Sequence, residues 1–136
     1  MIAKEEMLPM LVDACPSFAD KWQEHKKEYH DEDNFLPYIA LGAFARHLID
    51  LYRENKTSEF EKVFQVVEKL HIEGEHYVRE AATIGLLEGI QNIAGNTNLD
   101  PEVFYNYLEP VSSKWWNELN KFWNGEIKYV GQTFSD

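Results

Sequence analysis

Cysteine occurs once in this chain, at Cys15, so no intramolecular disulfide can form and no CxxC pair exists to hold zinc or run redox exchange. The expectation is a small buried thiol in a reducing compartment, the cytoplasm. Long apolar runs are missing too, which excludes a membrane-spanning helix. The opening segment, MIAKEEMLPMLVDACP, carries Glu5, Glu6 and Pro9 where a signal peptide would have a basic start and an apolar stretch. Bases are scarce: 13 Lys and Arg stand against 24 Asp and Glu, a formal charge of −11. Such a surface repels bare nucleic acid and anionic membrane, and it suits a basic protein or a cation.

Catalytic signatures are also absent. There is no GxSxG, no Gly-rich phosphate loop, no HExxH and no paired ExxH. Two stretches do bring imidazole and carboxylate together: HKKEYHDED, with His25 and His30, and HIEGEH, with His71, Glu73, Glu75 and His76. Both groups bind Zn²⁺ well. A spacing of five, however, does not align His25 with His30 on a helix, and the second stretch straddles a helix boundary. The chain reads as a non-enzyme with no metal and no cofactor. A metal-dependent enzyme built on residues 71–76 is the minor alternative.

What the chain does have is helical periodicity, eight Phe, seven Tyr and four Trp, and ample length for a core. A first helix is expected near 3–14, stopping at Cys15-Pro16 because proline disfavours helical geometry in the residue before it. A second starts near Ser17, with Phe18, Trp22 and Tyr29 on one face. The next covers about 34–54, with Pro37 in its first turn. Ser58 and Glu61 fit a capping box for a helix at about 59–73, whose stripe is Phe60, Val63, Phe64, Val67 and Leu70, with Gly74 as its stop. A helix over 75–93 follows, and then Asp100-Pro101 starts a short one. Ser112 or Ser113 can cap the last, in which Trp115, Leu119, Phe122 and Trp123 share a face, and Gly125 ends it. Residues 126–136 read as a loose tail or a short strand. Short polar turns make this one all-α domain, 1–136, of six or seven antiparallel helices.

Within EHYVREAATIGLLEGIQN, residues 75–92, Ala81, Gly85 and Gly89 recur every fourth position, so they share one side of the helix. A row without side chains lets another backbone approach closely, which offsets the roughly 1 kcal/mol that each glycine costs in a helix. This segment is apolar almost all round and is expected at the centre of the fold. Glu88 falls on the same stripe and Arg46 lies between Ile39, Gly42 and Ile49. The two are expected to pair, bond to free helix ends, or line a groove.

The stretch EHYVREAATIGLL resembles one helix of a HEAT-type repeat, without a second copy at a fixed period. The architecture is therefore expected as HEAT-like stacked helix pairs or an irregular bundle. The wider pattern is LPYIALGAFARHLIDLY, a capped helix, VREAATIGLLEGIQN and the tryptophan-rich WWNELNKFW. Over about residues 34–124 it resembles a family of small, acidic, all-helical bacterial proteins associated with toxin–immunity loci. That resemblance implies an immunity protein whose partner is a cognate toxin.

The acids are clustered. Glu24, Glu28, Asp31, Glu32 and Asp33 form one group, and Glu73, Glu75 and Glu80 begin a run with Arg79 as the one Lys or Arg between residues 70 and 113. Such surfaces attract basic partners and speed association. Adjacent helical residues point about 100° apart, so with Trp115 inward Trp116 is expected at the edge, as an interface anchor. These residues make up the expected partner-binding surface. It would block a basic toxin, such as a nuclease, by occluding its active site. A helical scaffold or adaptor is the alternative.

Overall fold

A computed structural model describes residues 1–28 and 36–126. The expected site residues Asp31, Glu32 and Asp33 fall outside the described residues, as do Tyr29, His30 and all of the tail beyond Glu126. Among the described residues there are seven α-helices and no strand: α1 Lys4–Ala14, α2 Ala19–Glu28, α3 Leu36–Arg53, α4 Phe60–Glu73, α5 His76–Glu80, α6 Glu88–Asn96 and α7 Pro110–Trp123. Short 3-10 turns cover Pro16–Phe18 and Pro101–Tyr107. All-α architecture is therefore observed.

Residues 76–96 form one continuous rod, because α5 and α6 are joined by a π-helix over Ala81–Leu87. Six of the seven π-helical residues are buried, and α3, α4 and α7 all pack on this rod. Its central place is the expected one. The stripe on α4 is buried in full at Phe60, Val63, Phe64, Val67 and Leu70.

Chain direction follows from contacts along the rod. A Cβ on Gly85 would lie 2.8 Å from Leu41 Cδ1, and one on Gly89 would lie 3.5 Å from the Cβ of Ala45. Further on, the Arg53 guanidinium donates to the Thr97 carbonyl and hydroxyl. The α3 helix and the rod therefore run the same way, with α4 returning between them in sequence. The α1–α4 pair is antiparallel: the Lys4 N–H donates to Glu75 Oε1 (3.0 Å), and Cys15 reaches Glu59. Ile2 forms a parallel bridge with Gly74, its N–H donating to the Glu73 carbonyl (2.8 Å) and its carbonyl accepting from Glu75 N–H (2.9 Å). Gly74 is extended here rather than left-handed (φ −70°, ψ 149°). What requires glycine is space, since a Cβ would run into the Leu70 carbonyl and Val78.

Two expected caps are not the ones used. Ser58 is exposed, α4 begins at Phe60 after Glu59, and no side chain caps it. The Glu59 side chain is engaged elsewhere, with Ser17. At α7 neither Ser112 nor Ser113 is the cap. Helix α7 starts at Pro110, and Glu68 on α4 accepts the N–H groups of Val111 (3.0 Å) and Ser112 (2.8 Å). A carboxylate at a helix N-terminus satisfies orphan donors and complements the dipole, whatever its distance in sequence. Asp100 does cap, accepting from Glu102 N–H (3.0 Å), but the turn it starts is 3-10.

Candidate functional site

The turn Pro16–Phe18 places Ser17 beside the C-terminal half of α3 and the start of α4. Phe18 anchors it, with its ring edge-on to Phe44 at 5.0 Å. Ser17 Oγ then lies 2.5 Å from Glu59 Oε1 and 2.8 Å from His47 Nε2. His47 Nδ1 lies 3.0 Å from Lys21 Nζ, and Cys15 Sγ donates to Glu59 Oε1 at 3.3 Å. Five chemistry-bearing residues from positions 15 to 59 thus converge.

Proton positions follow from the partners. The Lys21 ammonium can only donate, so His47 Nδ1 accepts and Nε2 carries the hydrogen. The Ser17 hydroxyl receives that hydrogen bond and gives its own proton to Glu59. Donation runs Lys21, His47, Ser17, Glu59, opposite to the direction that activates a serine nucleophile. Burial and the Lys21 charge hold His47 below the usual imidazole range. At Glu59 burial works upward, but hydrogen bonds from Ser17 and Cys15 outweigh it and keep the carboxyl below its ordinary value. Burial, with the help of Glu59, pushes the Cys15 thiol up to about 12, so it is not a thiolate nucleophile. The cluster ties three elements together at the rim of a shallow depression of about 650 Å³ lined by Ser17, Leu51, Lys56, Thr57 and Glu59.

A second cluster is sealed inside. His71 Nδ1 donates to the Val67 carbonyl (2.9 Å), which leaves Nε2 to accept from Thr83 Oγ1 (3.0 Å). Ser112 Oγ donates to Glu68 Oε1 (2.9 Å) and lies 3.3 Å from His71 Nδ1. Burial drives His71 down to about 4, so the ring is neutral. Glu68 is pushed up by burial, but the Val111 and Ser112 bonds outweigh this and hold it low. Both imidazole nitrogens are engaged, which takes His71 out of reach of a metal at residues 71–76.

One family matches residues 8–124, described as Domain of unknown function (DUF7674). The chain belongs to this family. No curated protein and no solved structure matches it. The DUF7674 span takes in both clusters and leaves out Ile2, Glu5 and Glu6.

Of the expected partner-binding residues, Glu24, Glu28, Glu73 and Glu80 are exposed and Glu75 is half-buried. The Ile2–Gly74 bridge draws the start of α1 to the α4–α5 junction, so the segment that carries Glu5 and Glu6 lies beside the one that carries Glu73, Glu75 and Glu80. Glu24 and Glu28 stand apart on α2, which packs on the Pro16–Phe18 turn and α3. Trp116 is a correction: it is fully buried, its Nε1 donating to Glu102 Oε2 at 2.8 Å. Helix α7 faces both α4 and the rod, and this wide buried arc takes Trp115 and Trp116 together. The exposed indole is Trp123, at 50%. Arg46 is exposed and Glu88 half-buried, and no ion pair joins them. Burial lifts the Glu88 carboxyl. Among the described residues no helix is long and apolar enough to cross a membrane.

Proposed function

We propose that the protein is a non-catalytic binding protein of the immunity type, acting in the cytoplasm, which neutralises a basic protein toxin by covering its active site. The observation that carries this reading is the composition of one end of the molecule. Glu5, Glu6, Glu73, Glu75 and Glu80 lie in the two segments that the Ile2–Gly74 bridge brings together, against Lys4, Arg79 and a His76 that pairs with Glu80 (3.3 Å), and the same segments expose the apolar side chains Ile72 (59% exposed) and Met1 (95%). An apolar anchor inside a charged rim is the arrangement of energetically efficient interfaces. The negative field is felt locally: burial and then the Glu80 carboxylate push the Tyr38 phenol up to about 12 and raise Tyr77 as well. With all 13 Lys and Arg paired, 11 of the 24 acids would still be unmatched.

A nuclease active site, built to hold phosphates, is positively charged and would be steered onto such an end. Copurification with the product of the neighbouring gene tests this. A complex is expected at about 50 mM salt that weakens at about 500 mM, as screening shortens the reach of the carboxylates. Ile72→Asp and the pair Glu73→Lys, Glu80→Lys should each release the partner while leaving the melting temperature unchanged, because all three side chains are exposed. No association at low salt would defeat the reading. Association without rescue of toxin-arrested cells would point to an adaptor instead.

A further inference from the structure

At the far end of the rod, α6, the Pro101–Tyr107 turn and α7 enclose an open cleft of about 220 Å³. Its lining includes Asn92, Gly95, Asn96, Pro101 and Trp123, together with the buried Gln91 and half-buried Asn120, and no charged side chain. Trp123 exposes half its surface yet is fixed in place, its Nε1 donating to Gln91 Oε1 at 3.0 Å. Gln91 is itself held, donating to Asn120 Oδ1 (3.3 Å) and the Trp116 carbonyl (3.4 Å). Asn92 and Asn96 have no side-chain hydrogen bond among the described residues, so two amides, each donor and acceptor, are free at the mouth.

Gly95 is the second observation. It lies inside α6 with a helical backbone, so no left-handed conformation calls for glycine, and a Cβ there would meet nothing within 4 Å. Gly95 is the next-to-last residue of α6, in the final turn, where glycine costs little, and no neighbouring atom requires the missing side chain. Its effect is to leave the cleft open.

From these features we infer that the cleft binds a single neutral pyranose ring. The half-exposed indole can offer an apolar surface to the C–H face of the sugar, the free amides can donate to and accept from its hydroxyls, and the Glu102 carboxylate, which accepts from Asn120 Nδ2 (3.4 Å) beside the cleft, disfavours phosphorylated or acidic ligands. The cleft is closer in size to one ring than to an extended peptide, which needs a longer groove. This site is separate from the acidic end and does not depend on the reading proposed for it.

Saturation-transfer NMR and tryptophan emission with methyl β-glucopyranoside, methyl β-galactopyranoside and N-acetylglucosamine test the inference on the whole chain. At least one should bind with a Kd of about 1–10 mM, as expected for so small a ligand. Trp123→Ala should weaken that binding at least tenfold. Gly95→Leu fills open space, so it should abolish binding while leaving the melting temperature unchanged or higher. This variant keeps the test sound if Trp123→Ala fails to fold. Absence of transfer from all three sugars at about 20 mM would overturn the inference. So would full binding by Gly95→Leu, or binding of a blocked alanine tripeptide in place of the sugars.

Discussion

Around His71 a serine, a histidine and a glutamate are sealed between α4, α7 and the π-helical segment; around His47, itself buried, the serine and glutamate of a second such set reach the rim of a surface depression. In each the serine gives its proton to the glutamate, so neither histidine is placed to take it. The fourth residue sets the tautomer. Next to His47 it is the Lys21 ammonium, which occupies Nδ1. Next to His71 the Val67 carbonyl claims the Nδ1 hydrogen and the Thr83 hydroxyl fills Nε2. The contrast shows that residue types alone do not define a catalytic set. Burial then decides energetic weight, since a polar group cut off from water must keep its partners.

The largest expected effect tests that weight directly. Glu68→Ala removes the acceptor of the Val111 and Ser112 N–H groups and of the Ser112 hydroxyl, and it should cost about 3 kcal/mol by urea unfolding. An equal loss from Glu59→Ala would erase the contrast. Acid comes next. The folded pKa of His71, about 4, lies below its ordinary 6.5, so between these values the unfolded chain binds more protons. The stabilisation is complete above about pH 6.5 and disappears as pH falls through about 4, a loss of about 3 kcal/mol. Unfolding free energies over a pH series should show that slope, and His71→Met should flatten it. Glu59→Ala itself should cost only about 1 kcal/mol, because water reaches the rim and can replace the carboxylate. Smallest is Lys21→Met, with a stability change under about 0.5 kcal/mol. Loss of the neighbouring charge should nevertheless move the His47 titration upward by NMR, and a downward move would show that donation does not run from Lys21.

Much of the fold was legible because it is written in local spacing. The α4 stripe, the Asp100-Pro101 start and the apolar wrap of residues 78–87 each declare themselves within a few residues. The α7 cap does not, since its acceptor, Glu68, lies 43 residues from Val111. The π-helix was equally hidden: a segment apolar on all sides carries no phase from which to read a change of pitch. Trp116 is buried rather than at the edge because α7 packs against α4 and the rod at once, so residues about 100° apart both face neighbours. The His47 cluster had one readable sign. A histidine three residues after buried Phe44 falls on the inner face of α3, whereas Arg46 points to water. The other four members come from three segments that only folding brings together.

The wide turns over Ala81–Leu87 also act as a length buffer between the two halves of the rod. Each N–H there reaches one residue further back than in an α-helix, so the segment accommodates length that an ordinary helix would not. Deleting a single residue from it would permit standard pitch and leave everything downstream close to its present phase, because the tighter α-helical turn per residue makes up for the lost one. Gln91 would keep to Trp116, and Gly89 would still face Ala45. A one-residue gap within Ala81–Leu87 should therefore be tolerated better than the same gap in α3 or α4, where every later side chain would change face.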